Sequence, residues 1–399
     1  MGGRVETDGM VGDRPVRNGA GETFGGRSRW TDVDGPVHYL DFGGPSRAPV
    51  IVAVHGLGGS AVNWSAIAPL LTSRYRLIAP DLAGFGLTRL AGRDATVFAN
   101  RALLHRFIES VPAAAKKPVI LMGNSMGGMI CVLEASAAPE TVAALILVDS
   151  ALPFVLARPD PLIAATFALY GTPGLGGLMR SLRRDTPPDV QVARLLSVCC
   201  ADSSRVPAVS VAQHVEMERR RADFPDKSKA LTTAMRSVVH TIGRRRGHAY
   251  RAIVDSVRCP VLLLQGDRDR LVPVSVARAA ARAHPDWTLA VLTDIGHVPQ
   301  LETPGETAEL IMGWLGQAGP AVPGRPQRPK VRPATGLTPW RCASSPTHAR
   351  CWPGSAPPES VPARAAAADG LAAAVGHRAA HRRAGRHDHQ EEVSDRDQP

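Results

Sequence analysis

Short apolar runs recur along the chain: VHYLDF, PVIVAVHG, YRLIAPDL, PVILMG, ALILVDS, PVLLLQGD and TLAVLTDIG. Most are continuous rather than alternating, the pattern of strands covered on both faces of a parallel sheet. Segments with helical spacing, such as NRALLHRFIESV, separate them. Alternating strands and helices predict a doubly wound α/β fold with a mostly parallel sheet. Between Leu152 and about Arg258 the rhythm breaks, and helical patterns punctuated by Pro and Gly replace the strands. In LTTAMRSVVHTI, Leu231, Met235, Val238, Val239 and Ile242 predict one apolar helix face.

These patterns divide the chain. Residues 1–34 are polar and Gly-rich and read as a flexible leader. Residues 35–151 and 258–317 form the sheet core, and 152–257 an inserted helical cap over the sheet's edge. The core closes with ETAELIMGWL, whose Leu310, Ile311, Trp314 and Leu315 are expected to pack on the sheet. Residues 318–399, rich in Pro, Arg, Ala and His, read as a disordered tail.

Composition changes this picture little. Hydrophobic residues make up 44% of the 399, ample for a core. The net charge of +11 invites a nucleic-acid reading, but about five of those charges lie beyond Ala318. The triplets Arg219–Arg221 and Arg244–Arg246 read as solvated faces, with an anionic membrane surface or a substrate carboxylate as the other readings. No nucleic-acid-binding motif accompanies the charge, so no nucleic-acid partner is expected. Six cysteines without metal-ligand spacing read as free thiols. With no secretory apolar region near the N-terminus and no apolar run of about 18 residues, the expected compartment is the cytoplasm.

The stretch VILMGNSMGGMI, residues 119–130, carries the first chemistry. A strand arriving at Met122 and a helix starting near Met126 leave almost no loop. Ser125 is therefore expected in a sharp, strained turn that projects its hydroxyl above the sheet, with Gly123 and Gly127 where side chains would collide. The competing reading is a helix-capping serine in a Gly-rich turn. A nucleophilic serine needs a general base, and the base an orienting carboxylate. VLLLQGDRDRLVP places Asp269, and two residues earlier Asp267, after one apolar strand; VLTDIGHVPQLETP places His297 after the next. Asp149, ending ALILVDS, is a third candidate acid.

Over residues 35–317 the sequence resembles the α/β-hydrolase superfamily. The likeness rests on HGLGGS (His55–Ser60), PDLAGFGLT (Pro80–Thr88), GNSMGG (Gly123–Gly128), GDRDRLVP (Gly266–Pro273) and GHVPQLETP (Gly296–Pro304), in that order. The resemblance implies Ser125 as nucleophile, Asp269 as acid and His297 as base, with Asp267 satisfying its turn and His55 structural. It implies an oxyanion hole made by the backbone N–H groups of Leu57 and Met126. His105 and His240 adjoin no strand end and receive no role.

The implied reaction is hydrolysis of a carboxylic ester through an acyl-enzyme, with a small-molecule ester and water as partners. Phe154, Leu162, Phe167 and Leu169 are candidates to line an apolar cavity under the cap. No P-loop, Rossmann fingerprint or metal cluster is present, so no cofactor and no metal are expected. GNSMGG also occurs in the family's carbon–carbon hydrolases, which carry Trp after the histidine where this chain has Val298. Cofactor-free perhydrolysis is a further relative activity. Epoxide hydrolases and haloalkane dehalogenases resemble the fold but place aspartate at the elbow. A binding protein on a hydrolase scaffold is the alternative outside enzymes, and it typically lacks a member of the triad.

Overall fold

The computed structural model describes residues 24–115, 118–154, 186–243 and 246–318, with a two-residue strand pair at Met10–Val11 and Arg14–Pro15. Eight strands form one sheet. They are β1 (Arg27–Asp32), β2 (Pro36–Gly43), β3 (Val50–Val54), β4 (Arg76–Pro80), β5 (Val119–Asn124), β6 (Val142–Val148), β7 (Val261–Gly266) and β8 (Thr288–Leu292). Their spatial order is β8-β7-β6-β5-β3-β4-β2-β1. From β4 to β8 every neighbouring pair is parallel, and β2 alone runs opposite, pairing antiparallel with β4 on one side and β1 on the other.

The continuous apolar runs follow from this position. Every residue of β5 and of β7 is buried. Successive side chains point to opposite faces, so Val52 and Val54 join one apolar cluster while Ile51 and Ala53 join the other. Helices α1 (Val97–Ser110) and α2 (Met126–Ala137) cover the first face. On the second face lie Trp64 and the last helix among the described residues, Pro304–Ala318, whose Ile311 and Leu315 are buried and whose Leu310 and Trp314 pack alongside. The expected closing helix is thus in place.

The sheet begins earlier than the expected boundary at residue 35. Arg27–Asp32 pairs along its length with β2, while Phe24 and Val33 are buried. RSRWTD is an edge strand with mostly polar side chains, so no apolar run marks it.

Between β6 and β7 the described chain is helical: α3 (Pro188–Cys199), α4 (Ala208–Arg220), α5 (Lys227–Ile242) and α6 (Gly247–Asp255). After β7 come α7 (Val274–Ala283) and then α8, the closing helix. The apolar face of α5 needs correction. Ala230, Ala234, Met235, Val238 and Thr241 are its buried positions, whereas Val239 is 49% exposed. Two adjacent valines compete for one seam, and the small residues at 230 and 234 rotate the helix so that Val238 faces inward. Of the proposed tail, residues 318–399, Ala318 belongs to the helix Pro304–Ala318, and residues 319–399 lie outside the described residues. Among the described residues, no helix is long and apolar enough to cross a membrane.

This orientation is testable by urea denaturation. Met235→Ala is expected to cost about 2–3 kcal/mol, as a buried large-to-small change, and Val239→Ser to stay within about 0.5 kcal/mol. Equal losses would contradict the buried face described for α5.

Candidate active site

Strand β5 ends at Asn124 and α2 begins at Met126, leaving Ser125 alone between them. Its φ of 56° and ψ of −116° lie where non-glycine residues are strained. The turn is held by backbone bonds: Ser125 N–H donates to the Val148 carbonyl at 2.9 Å, and Ala151 N–H donates to the Ser125 carbonyl at 3.2 Å. Neighbouring glycines permit it. A Cβ on Gly123 would lie 2.6 Å from the Gly127 carbonyl carbon, and one on Gly127 only 2.2 Å from the Val54 oxygen. The Ser125 hydroxyl makes no capping bond to α2, which disposes of the capping reading. Ser125 is partly exposed between buried neighbours.

The HGLGGS loop leaves the end of β3 beside this turn. A Cβ on Gly56 would lie 3.2 Å from Ser125 Cβ, so the loop's backbone passes directly against the serine. Leu57 follows, half-buried, and Gly58 turns the chain at φ +76°. His55 is fully buried: its Nδ1–H donates to the Gly56 carbonyl at 2.8 Å, and its Nε2 accepts from Leu82 N–H at 3.1 Å. Burial holds its pKa below the usual imidazole value against the opposing charge of Asp81. A neutral ring with both nitrogens engaged is a structural brace.

Asp269 and His297 meet at the carboxyl ends of β7 and β8. Asp269 Oδ1 accepts from Leu271 N–H at 2.8 Å and Val272 N–H at 3.0 Å, and its Oδ2 accepts from His297 Nδ1–H at 2.7 Å. Burial pushes the Asp269 carboxyl up. The His297 ring and the hydrogen bonds outweigh it and hold the group below the usual carboxylate range. His297 is also tied toward the serine: Asn124 Nδ2 donates to the His297 carbonyl at 3.0 Å and to the Val148 carbonyl at 3.2 Å. The residue before Ser125 thus bonds the backbone of the histidine. Asp267 accepts from Asp294 N–H at 2.7 Å and satisfies that turn. His105 bonds Glu134 at 2.7 Å on the helical face, and His240 is exposed on α5.

Asp149, a rival acid by sequence, is a buried neighbour of the pair. Its Oδ1 accepts from Gln265 Nε2 at 2.6 Å and from Gly266 N–H at 2.9 Å, and Gln265 Nε2 also reaches Asp269 Oδ2 at 3.1 Å. Burial first, and then the charge on Asp269, raise the Asp149 carboxyl well above its ordinary value. One dry site with a single imidazole does not hold two carboxylate charges, so Asp149 stands neutral beside an ionised Asp269. Sequence reasoning missed Asn124 and Gln265. The signal for Gln265 was one polar residue inside the apolar run VLLLQG.

Of the proposed cavity residues, Phe154 is part of the core, with Arg251 over its ring at 4.0 Å and His284 against its edge. Leu162, Phe167 and Leu169 lie outside the described residues.

The chain is similar to known proteins. The chain is 28% identical over 263 residues to the pimeloyl-[acyl-carrier protein] methyl ester esterase of Aromatoleum aromaticum, covering 66% of this chain and 96% of that one. It is 23% identical over 287 residues to the human monoacylglycerol lipase ABHD6, covering 70% and 81%. A thermophilic esterase from Thermogutta terrifontis superposes with a TM-score of 0.53 at 23% identity, covering 72% of this chain and 97% of that one. That likeness concerns the fold alone. The family model described as the alpha/beta hydrolase family matches residues 51–310, the span that holds the serine turn, the Asp269–His297 pair and the parallel sheet between them, and the chain belongs to that family.

Proposed function

We propose that this protein hydrolyses carboxylic esters through an acyl-enzyme on Ser125. The observation that carries the reading is the strained, uncapped Ser125 at the sheet edge where the Asp269–His297 pair is bonded to the adjacent residue. His297 donates from Nδ1 to Asp269, which leaves Nε2 as the basic nitrogen. In this reading Nε2 takes the proton from Ser125 as the hydroxyl attacks the ester carbonyl. Asp269 keeps the tautomer and stabilises the imidazolium. The N–H of Met126, at the start of α2, and that of Leu57, in the loop passing over the serine, bind the oxyanion. A helix N-terminus also favours negative charge there. The imidazolium then protonates the leaving alcohol, and the same base activates water to release the acid.

The esterase and lipase names of the relatives support an ester over other acyl substrates. Val298, where the carbon–carbon hydrolases carry Trp, is buried in an apolar cluster with Val192 and Leu196 of α3. The helical insert, residues 152–257, is proposed as the roof of the substrate site. Acyl length and alcohol partner belong to that roof.

Two measurements test this reading. Ser125→Ala is expected to reduce hydrolysis of p-nitrophenyl acetate and butyrate by at least about a thousandfold, and Asp269→Asn by about ten-thousandfold, chiefly in kcat. Equal rates for wild type and Ser125→Ala would overturn the nucleophile. Turnover of a ring-cleavage diketone with inert esters would favour the carbon–carbon reading.

The neutral state of Asp149 has its own test. A carboxyl whose pKa is raised on folding keeps its proton in the native state after the unfolded chain has lost it near 3.8. Stability from this group therefore falls as pH rises from about 4 toward its folded pKa. Asp149→Asn keeps the acceptor for Gln265 and Gly266 and cannot ionise. Its melting temperature relative to wild type should rise progressively as pH is raised from about 4 toward the folded pKa. A difference that stays flat above about pH 4 would mean that Asp149 is ionised in the native state.

A further inference from the structure

The loop that ends in His297 has an unexpected second anchor, in the helical insert. His297 N–H donates to the carbonyl of Cys199, the last residue of α3, at 2.6 Å. The approach is so close that a Cβ on Gly296 would fall 2.3 Å from that carbonyl oxygen. Glu302, fully buried, receives Gly296 N–H at 2.9 Å from the histidine loop, and Ala201 N–H at 3.2 Å and Asp202 N–H at 2.9 Å from the insert. At the other end of the loop, Arg205 donates to the Asp294 carbonyl at 2.7 Å and to its Oδ2 at 2.6 Å. Val192, Leu196, Cys200 and Val206 of the insert close an apolar cluster with Val298 and Leu301 beneath these bonds.

We propose that residues 199–205 of the insert form a clamp on the loop 294–297, with Arg205 and Glu302 as positioning residues for His297. This rests on the reading of His297 as the base. These groups act on the histidine through its backbone and its loop. Glu302 is the joint. A buried carboxylate is costly unless its lone pairs are filled, and here three backbone N–H groups from two separate segments fill them, with Arg205 at 3.7 Å. The carboxylate therefore stays buried only while insert and loop are docked. Asp294 is held on both sides, by Arg205 through its oxygens and by Asp267 through its N–H, at a positive φ of 60°. The insert thereby fixes both ends of the segment that carries the base, and a shift at the end of α3 moves His297 relative to Ser125. Misplacement of a catalytic group by about 1 Å can cost a hundredfold in rate.

Arg205→Ala, at a partly exposed side chain that folding should tolerate, is the main test, with Glu302→Ala beside it. Hydrogen exchange of the full chain, followed by mass spectrometry over residues 294–303, reads the clamp without any substrate. Both variants should exchange faster there while the β5–α2 segment is unchanged. With p-nitrophenyl butyrate, Arg205→Ala should lower kcat about tenfold with KM within about twofold, and Arg205→Lys should recover most of that loss. Faster exchange with unchanged kcat would overturn the positioning role; unchanged exchange in Arg205→Ala would overturn the clamp itself. If Glu302→Ala fails to fold, Arg205→Ala and Arg205→Lys still decide the matter. Failure of the ester-hydrolase reading is recognised separately, by His297→Ala turning over esters as fast as wild type.

Discussion

A strand that runs into a helix with one residue between them is the constraint on which the site depends. Backbone in the conformation of Ser125 costs on the order of 1–3 kcal/mol, and it persists only where the surroundings over-determine it. Here β6 accepts the Ser125 N–H through Val148, the start of the following segment donates back through Ala151, and β3 lies so close to Gly127 that no side chain fits. The strain therefore rests on three adjacent strands rather than on the turn. Because the same strands end at the same edge, the loops that leave them arrive together. The Gly56–Gly58 backbone comes from β3, Asp149 from β6, and Asp269 from β7.

Charge at this edge is settled by donors. Three carboxyl groups are buried near one another, and the oxygens of each are satisfied differently. Asp269 has two backbone N–H donors on one oxygen and an imidazole on the other, and is ionised. Glu302 is filled by N–H groups from two segments of chain. Asp149 has donors on one oxygen only, while its Oδ2 is buried with none. An oxygen that no donor approaches, next to an ionised carboxylate, is where a proton belongs. Gln265 spans the two aspartates with one amide nitrogen and so fixes their spacing. The arrangement leaves a single negative charge facing His297, which is what the proposed role of that imidazole as a base that becomes cationic in the transition state requires.

Much of this was legible in the sequence because certain steps of the chemistry demand particular backbone. Gly123, Ser125 and Gly127 are constrained by a turn in which other residues collide, and such constraints leave local marks. Asp269 and His297 were legible because each follows an apolar run, so strand position located them. Val239 was misread because helical periodicity alone does not choose between adjacent valines; the small residues at 230 and 234 decided it through packing. The strand at Arg27–Asp32 was missed because an edge strand shows few apolar side chains. Glu302 lies within a motif, yet its partners at 201 and 202 lie about a hundred positions upstream. Nothing local in either segment encodes that contact. Asp149 was recognised as a candidate acid, but the sequence could rank it only as a rival, whereas the fold makes it a neighbour.

The insert combines two demands that usually pull apart. A roof over a substrate site is free to vary, since different substrates need different walls. A support for the base is not free, because the geometry of proton transfer tolerates little displacement. On the proposed function both fall on one stretch of chain, and α3 keeps them on different sides. The exposed Leu195 and Val198 lie on one side of that helix, while Val192, Leu196 and the Cys199 carbonyl face the histidine loop. The Cys199 carbonyl and the N–H groups of Ala201 and Asp202 act through backbone, so apart from Arg205 and the apolar residues packed on Val298 and Leu301, side chains in the insert can change while the support is kept. What cannot change freely is the place where α3 stops. One residue more or less before Cys199 would rotate the terminal carbonyl by about 100° and leave the N–H of His297 without its acceptor.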